Sequence, residues 1–315
     1  MARRRGSQDG TPAAEGISEL NPPGRLSRAT DLLSSRRSRE KDSVELDPLA
    51  QFRAEAAESE RRMLAGPVDP PAVGEDQRTG PPDFVGVAAQ KAGTSWWYRL
   101  LVRHPEIVAA PRKELHYFQH HWDSEFDAEL IAGYHRYFPR KAGEITGEWT
   151  PRYMIDPWTP GRLAAAAPQA RILMMLRDPV DRFGSGATHM VARFEALHPR
   201  FLVEQFERSR YAPQLDRLLQ HFAEEQILIL QFEQCVRDPR TQLRKTLEFL
   251  GVDPLYSPEN IDERRNAGKI PPVSIPSDLR AQLVRDYSDE VRALADRWEQ
   301  IDLSLWPNFD HLSGR

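Results

Sequence analysis

Three short apolar runs, each closed by a turn, give the chain its pattern. They are Asp83–Gln90 (DFVGVAAQ), Ala170–Leu176 (ARILMML) and Gln226–Phe232 (QILILQF). Runs of this length, apolar on consecutive positions rather than alternating ones, predict strands buried on both faces, as in a parallel sheet. A shorter strand is predicted at Ile107–Ala109. Between the strands the spacing of apolar positions turns helical. Helices are predicted over Trp96–Arg103, about Ala212–Phe222, Thr241–Leu250 (with Gly251 as its stop) and Ser277–Trp298. Strands alternating with helices point to an α/β fold with a central, mainly parallel sheet.

Upstream of residue 80 the texture changes to Pro, Gly, Ser and Ala with mixed charge and few aromatics. Residues 1–80 read as a poorly ordered extension. It ends in a linker at Gly66–Pro82, with one possible helix between Ser43 and Leu64 behind Asp47-Pro48. A docking arm for a protein partner is the other reading of that extension. Residues 81–315 form the expected folded domain. The whole chain has 315 residues, with 43 Lys+Arg against 47 Asp+Glu and 40% hydrophobic residues. That balance supports a sizeable core and argues against a general nucleic-acid binder. The single cysteine, Cys235, leaves no intrachain disulfide and no thiolate-rich zinc site. No apolar run approaches the roughly 20 residues of a membrane helix. Nor does an apolar stretch follow the basic start, so the expectation is a cytoplasmic protein without a membrane span.

Chemistry gathers in three segments. Gln90–Trp96 (QKAGTSW) lies where the first strand gives way to a helix, the place where α/β folds bind ligands. A helix N-terminus there offers free N–H groups to an anion, Gly93 allows close approach, and Lys91, Thr94 and Ser95 add a charge and two hydroxyls. The order differs from the nucleotide P-loop GxxxxGK[ST], since the lysine precedes the glycine. The second segment, Arg177–Ser185 (RDPVDRFGS), leaves another strand. Its arginine is placed to fork onto a phosphate, and Ser185 is expected on the first turn of the next helix. An Arg-Asp salt bridge within the turn is the plainer alternative. In the third, Arg112–Phe118 (RKELHYF), a glutamate and a histidine stand side by side as possible proton acceptors.

Together these segments resemble sulfotransferases that use 3′-phosphoadenosine 5′-phosphosulfate (PAPS), over about residues 83–300. The likeness is greatest to the glycosaminoglycan-type branch. It implies a P-loop-like three-layer fold. It also implies that Lys91, Ala92, Gly93, Thr94, Ser95 and Trp96 line the phosphosulfate end of the donor, while Arg177 and Ser185 hold its 3′-phosphate. Glu-x-His-[Phe/Tyr]-Phe resembles the catalytic segment, which makes Glu114 the base, His116 its neighbour or substitute, and Lys91 the stabiliser of the leaving group. Ser95 would keep that lysine in check. Gly268 and Lys269, with Arg265, stand where the family closes a loop over the donor. The family needs no metal, and its product is 3′,5′-bisphosphoadenosine. Glu144–Tyr153 (EITGEWTPRY) resembles a segment that often carries lysine where this chain has Trp149. Trp149, Tyr153 and Trp158 are therefore either a stacking wall for the acceptor or core aromatics. The implied reaction moves a sulfuryl group to a hydroxyl of a carbohydrate, lipid or specialised metabolite. An ATP-dependent phosphotransferase and a non-catalytic nucleotide-binding protein remain as alternatives at this point.

Overall fold

The computed structural model describes Gly66 and residues 68–194, 199–261 and 272–314. The extension up to residue 65, with its possible helix, and the segment holding Arg265, Gly268 and Lys269 lie outside the described residues. In chain order the elements are β1 (Phe84–Ala88), α1 (Thr94–Leu101), β2 (Ile107–Ala109), α2 (Tyr117–His120), α3 (Ala128–His135), β3 (Ile145–Trp149), α4 (Thr159–Ala166), β4 (Arg171–Leu176) and α5 (Pro179–Phe194). They continue with α6 (Pro199–Arg208), α7 (Tyr211–Leu219), β5 (Ile227–Gln231), α8 (Phe232–Arg237), α9 (Pro239–Leu250) and α10 (Ser277–Arg297).

The five strands form one sheet in the order β2-β3-β1-β4-β5, and every pairing is parallel. The three long apolar runs become its centre and one edge. β1 and β4 are buried almost throughout because helices cover the sheet. Trp97 on α1 donates to Thr246 on α9, and Tyr98 on α1 donates to the Gly147 carbonyl of β3. β3 is the strand that the apolar pattern did not mark. Its sequence, ITGEW, carries a glycine and a glutamate, yet Gly147, Glu148 and Trp149 are all buried. Gly147 is needed where the β1 backbone passes, since a Cβ there would lie 2.1 Å from the Phe84 carbonyl oxygen.

Helix ends follow their caps. Asp238 accepts from the Thr241 amide ahead of α9, and Gly251 closes that helix at φ 72°. The helix after β1 begins at Thr94, two residues earlier than its apolar spacing suggests, because the left-handed Gly93 starts it. The linker is partly docked. Tyr137 donates to the Val68 carbonyl at 2.5 Å, and Arg78 and Arg140 exchange backbone hydrogen bonds. No described helix is long and apolar enough to cross a membrane.

The strand order places the crossover point at β1. From there the chain goes first to one side of the sheet (β2, β3) and then to the other (β4, β5). A crevice opens at such a point, at the carboxyl ends of the strands. Close packing behind it is tight. A Cβ on Gly86 of β1 would sit 2.1 Å from the Trp149 indole. Gly86→Ala is therefore expected to cost about 3 kcal/mol through overpacking, read as a lower midpoint in urea denaturation.

Candidate active site

Each chemical segment follows the carboxyl end of a different strand: Lys91 after β1, Glu114 after β2, Arg177 after β4. The loop after β1 turns sharply. Lys91 has φ 70° and Gly93 φ 91°. Gly93 caps α1 without any side-chain hydrogen bond, and since its carbonyl takes the Trp96 and Trp97 amides, the N–H groups of Thr94 and Ser95 are the ones left to an incoming acceptor. Ala92 and Thr94 are buried and Ser95 is exposed. Trp96 turns inward, 4% exposed, with its indole N–H donating to the Ile261 carbonyl. It therefore supports the loop from beneath.

Arg177 meets this loop directly. Its Nη1 donates to the Lys91 carbonyl at 3.3 Å, and its guanidinium lies 5.2 Å from the centre of the Phe232 ring. Phe232, the first residue of α8, also lies under Gly93, where a Cβ would come within 2.8 Å of the ring. One aromatic ring thus spaces the two anion loops. Nothing in its sequence context marked Phe232 in advance. The arginine's neighbour does not form the local salt bridge that was the plainer alternative. Asp178 instead accepts from the Val180 and Asp181 amides at the start of α5 and from Asn308 near the C-terminus. The Arg177 carbonyl accepts from the Tyr211 hydroxyl. Ser185 stands on α5, whose helix starts at Pro179, so it occupies the second turn and not the first. It is half-buried.

The charges are arranged for an anion. Burial and the nearby Arg177 and Arg182 push the Lys91 ammonium down to about 8, with Glu114 opposing them. Arg182 is fully buried and bonds only neutral groups, Ser209 and Gln205. A cation cluster held this way repels itself until a negative group arrives.

Opposite it, Glu114 is half-buried. Its Oε1 is 2.5 Å from Lys113 Nζ, and its Oε2 is 3.6 Å from His116 Nε2. Burial alone would raise the Glu114 carboxyl, but the Lys113 charge and the His116 contact hold it well below the usual carboxylate range. It is ionised at neutral pH, as a proton acceptor must be. Glu114 and His116 both have left-handed backbones, φ 65° and 55°, and with Lys91 they are the non-glycine residues with positive φ among the described residues. Strain of about 1–3 kcal/mol each gathers at the chemical groups and not elsewhere. Of the three aromatics that were either acceptor wall or core, Trp149 and Tyr153 are buried at 0% and 1%, while Trp158 is exposed. Among the described residues no cluster of His, Cys, Asp or Glu could hold a metal ion.

Residues 158–257 match the family model described as "Sulfotransferase family". Over that stretch the chain is similar to the sulfotransferase family. The matched stretch contains Arg177 and Ser185. A crystal structure of a sulfotransferase from Alicyclobacillus acidocaldarius is 29% identical, covers 71% of this chain and 98% of its own, and superposes with a TM-score of 0.58. Among curated proteins, human heparan sulfate glucosamine 3-O-sulfotransferase 3B1 is 28% identical over 186 residues, 54% of this chain and 46% of that protein. The mouse 3B1 protein is 30% identical over the same length. The chain spans about half the length of these curated relatives.

The loop after β1 tolerates little at Gly93. Gly93→Ala would force a side chain into a left-handed backbone and into Phe232, and is expected to cost about 1–3 kcal/mol. A lowered Tm by circular dichroism checks this, and an unchanged Tm would show that the loop relaxes freely.

Proposed function

We propose that this chain transfers a sulfuryl group from PAPS to a hydroxyl of a carbohydrate, lipid or specialised metabolite. The observation that carries the reading is the contact of Arg177 with the Lys91 loop, which puts two anion-binding segments within reach of one small molecule. The Lys91–Ser95 loop and the α1 N-terminus take the 5′-phosphosulfate, and Arg177 with Ser185 takes the 3′-phosphate. Glu114 accepts the acceptor's hydroxyl proton as that oxygen forms its bond to sulfur. The bond between sulfur and the bridging phosphate oxygen breaks, and Lys91 takes up the charge left on that oxygen. Lys113 tempers Glu114 in the resting site. The curated relatives are named for action on heparan sulfate glucosamine, so a carbohydrate hydroxyl is the first acceptor to try.

Incubation with radiolabelled PAPS and a panel of acceptors tests the reading. Transfer is expected from the wild type, and Glu114→Gln should lower kcat by about 10²–10⁴-fold while keeping affinity for 3′,5′-bisphosphoadenosine. Binding without transfer to any acceptor would favour a non-catalytic nucleotide-binding protein, and magnesium-dependent use of ATP a phosphotransferase. Arg177→Ala, by losing charge-assisted hydrogen bonds, is expected to raise the Kd for bisphosphoadenosine by about 10–100-fold in calorimetry. An unchanged Kd would remove Arg177 from the site.

The lowered Lys91 gives a pH signature. The anionic ligand binds the protonated lysine. In the free protein that form persists up to about pH 8 and is lost above it. The Kd for bisphosphoadenosine should therefore be flat near neutrality and rise by up to about tenfold per pH unit above the lysine's pKa. In Lys91→Met that rise should vanish.

A further inference from the structure

The turn that carries Glu114 and His116 holds two left-handed residues around Leu115, and such a turn persists only if something outside it fixes it. Local contacts do part of this, since Arg112 donates to the Leu115 carbonyl at 3.3 Å. The amides are fixed from β3. The Leu115 N–H donates to Glu148 Oε2 at 3.3 Å. The Tyr117 N–H donates to the Tyr153 hydroxyl at 3.1 Å, and that hydroxyl in turn donates to Glu148 Oε1 at 2.8 Å. Both amides flanking His116 are thus hung, directly or through one hydroxyl, on a single carboxylate.

That carboxylate has no exposure to solvent. Its other partners are also hydroxyl donors, Tyr134 at 2.8 Å and Thr150 at 2.6 Å. Four donors on two oxygens suit an ionised, acceptor-only carboxylate. No cation is among its partners. A buried carboxylate costs several kcal/mol unless it is fully hydrogen-bonded, so its retention at the end of a core strand calls for a role beyond packing.

We propose that Glu148 is a positioning residue for the transfer reaction, anchoring the Glu114–His116 turn to the end of β3. This rests on the sulfotransferase reading above. β3 lies beside β1 in register, with Val85 opposite Glu148. The anchor therefore fixes the proton acceptor relative to the Lys91 loop, which leaves β1 a few residues later. Glu148 touches neither substrate. It acts through the backbone on either side of His116.

Two near-isosteric variants test this. Glu148→Gln keeps the volume but leaves only one acceptor oxygen for four donors, and Tyr153→Phe keeps the ring but frees the Tyr117 amide. In both, kcat for sulfuryl transfer is expected to fall, by about 10²-fold for the first, as a displaced catalytic group would cause. The Kd for bisphosphoadenosine should stay within about twofold, because the donor loops are untouched. Hydrogen exchange gives a readout independent of activity. Protection should drop selectively at Leu115 in Glu148→Gln and at Tyr117 in both variants. Wild-type kcat, or protection lost evenly across the whole sheet, would overturn the proposal. If the wild type transfers nothing, the functional reading fails, and the exchange pattern alone then decides whether Glu148 anchors the turn. If Glu148→Gln does not fold, Tyr153→Phe carries the same comparison.

Discussion

Three cations at the carboxyl end of a parallel sheet, none paired with a described carboxylate, set the terms for the rest of this structure. Lys91, Arg177 and Arg182 come from different positions in the sequence but share one electrostatic neighbourhood. Holding them together costs folding free energy, since burial and mutual repulsion both disfavour the charged forms. The fold supplies the rigidity to do so. Asp178 caps α5 and holds the Asn308 segment, Tyr211 fixes the Arg177 carbonyl, and Phe232 spaces the loops. A site built against its own repulsion favours an anion before any anion binds, which is the preorganisation that the proposed reaction would draw on.

The same logic accounts for what the sequence disclosed and what it hid. β1, β4 and β5 were legible because strands buried on both faces must be apolar at every position. β3 was not, because its buried positions include a glycine that lets β1 approach and a glutamate satisfied by three hydroxyls and an amide. Hydrophobicity reads transfer from water and has no means of registering a polar group whose partners lie elsewhere in the chain. Lys91, Gly93 and Arg177 were legible as residue types beside strand ends. Their meeting was not, since it depends on strand order, and strand order is a property of the whole sheet. Trp96, which the resemblance places along the donor, has its indole turned inward to the Ile261 carbonyl by the helix period, a contact 165 residues away that the motif could not disclose.

Strain completes the account. Lys91, Glu114 and His116 adopt a backbone that glycine would adopt without cost, and glycine occupies none of those positions. Glycine would relax the turn but remove the ammonium, the carboxylate or the imidazole. The proposed reaction needs those side chains, so the backbone cost has to be met by neighbours: the Arg177 bond to the Lys91 carbonyl on one side, Glu148 with Tyr153 on the other. Each strained segment is thus held by a group from an adjacent strand end. Loops alone would let the ammonium and the carboxylate drift apart. Hung from strands of one parallel sheet, they keep a separation set by the sheet, and the proposed in-line transfer depends on that separation.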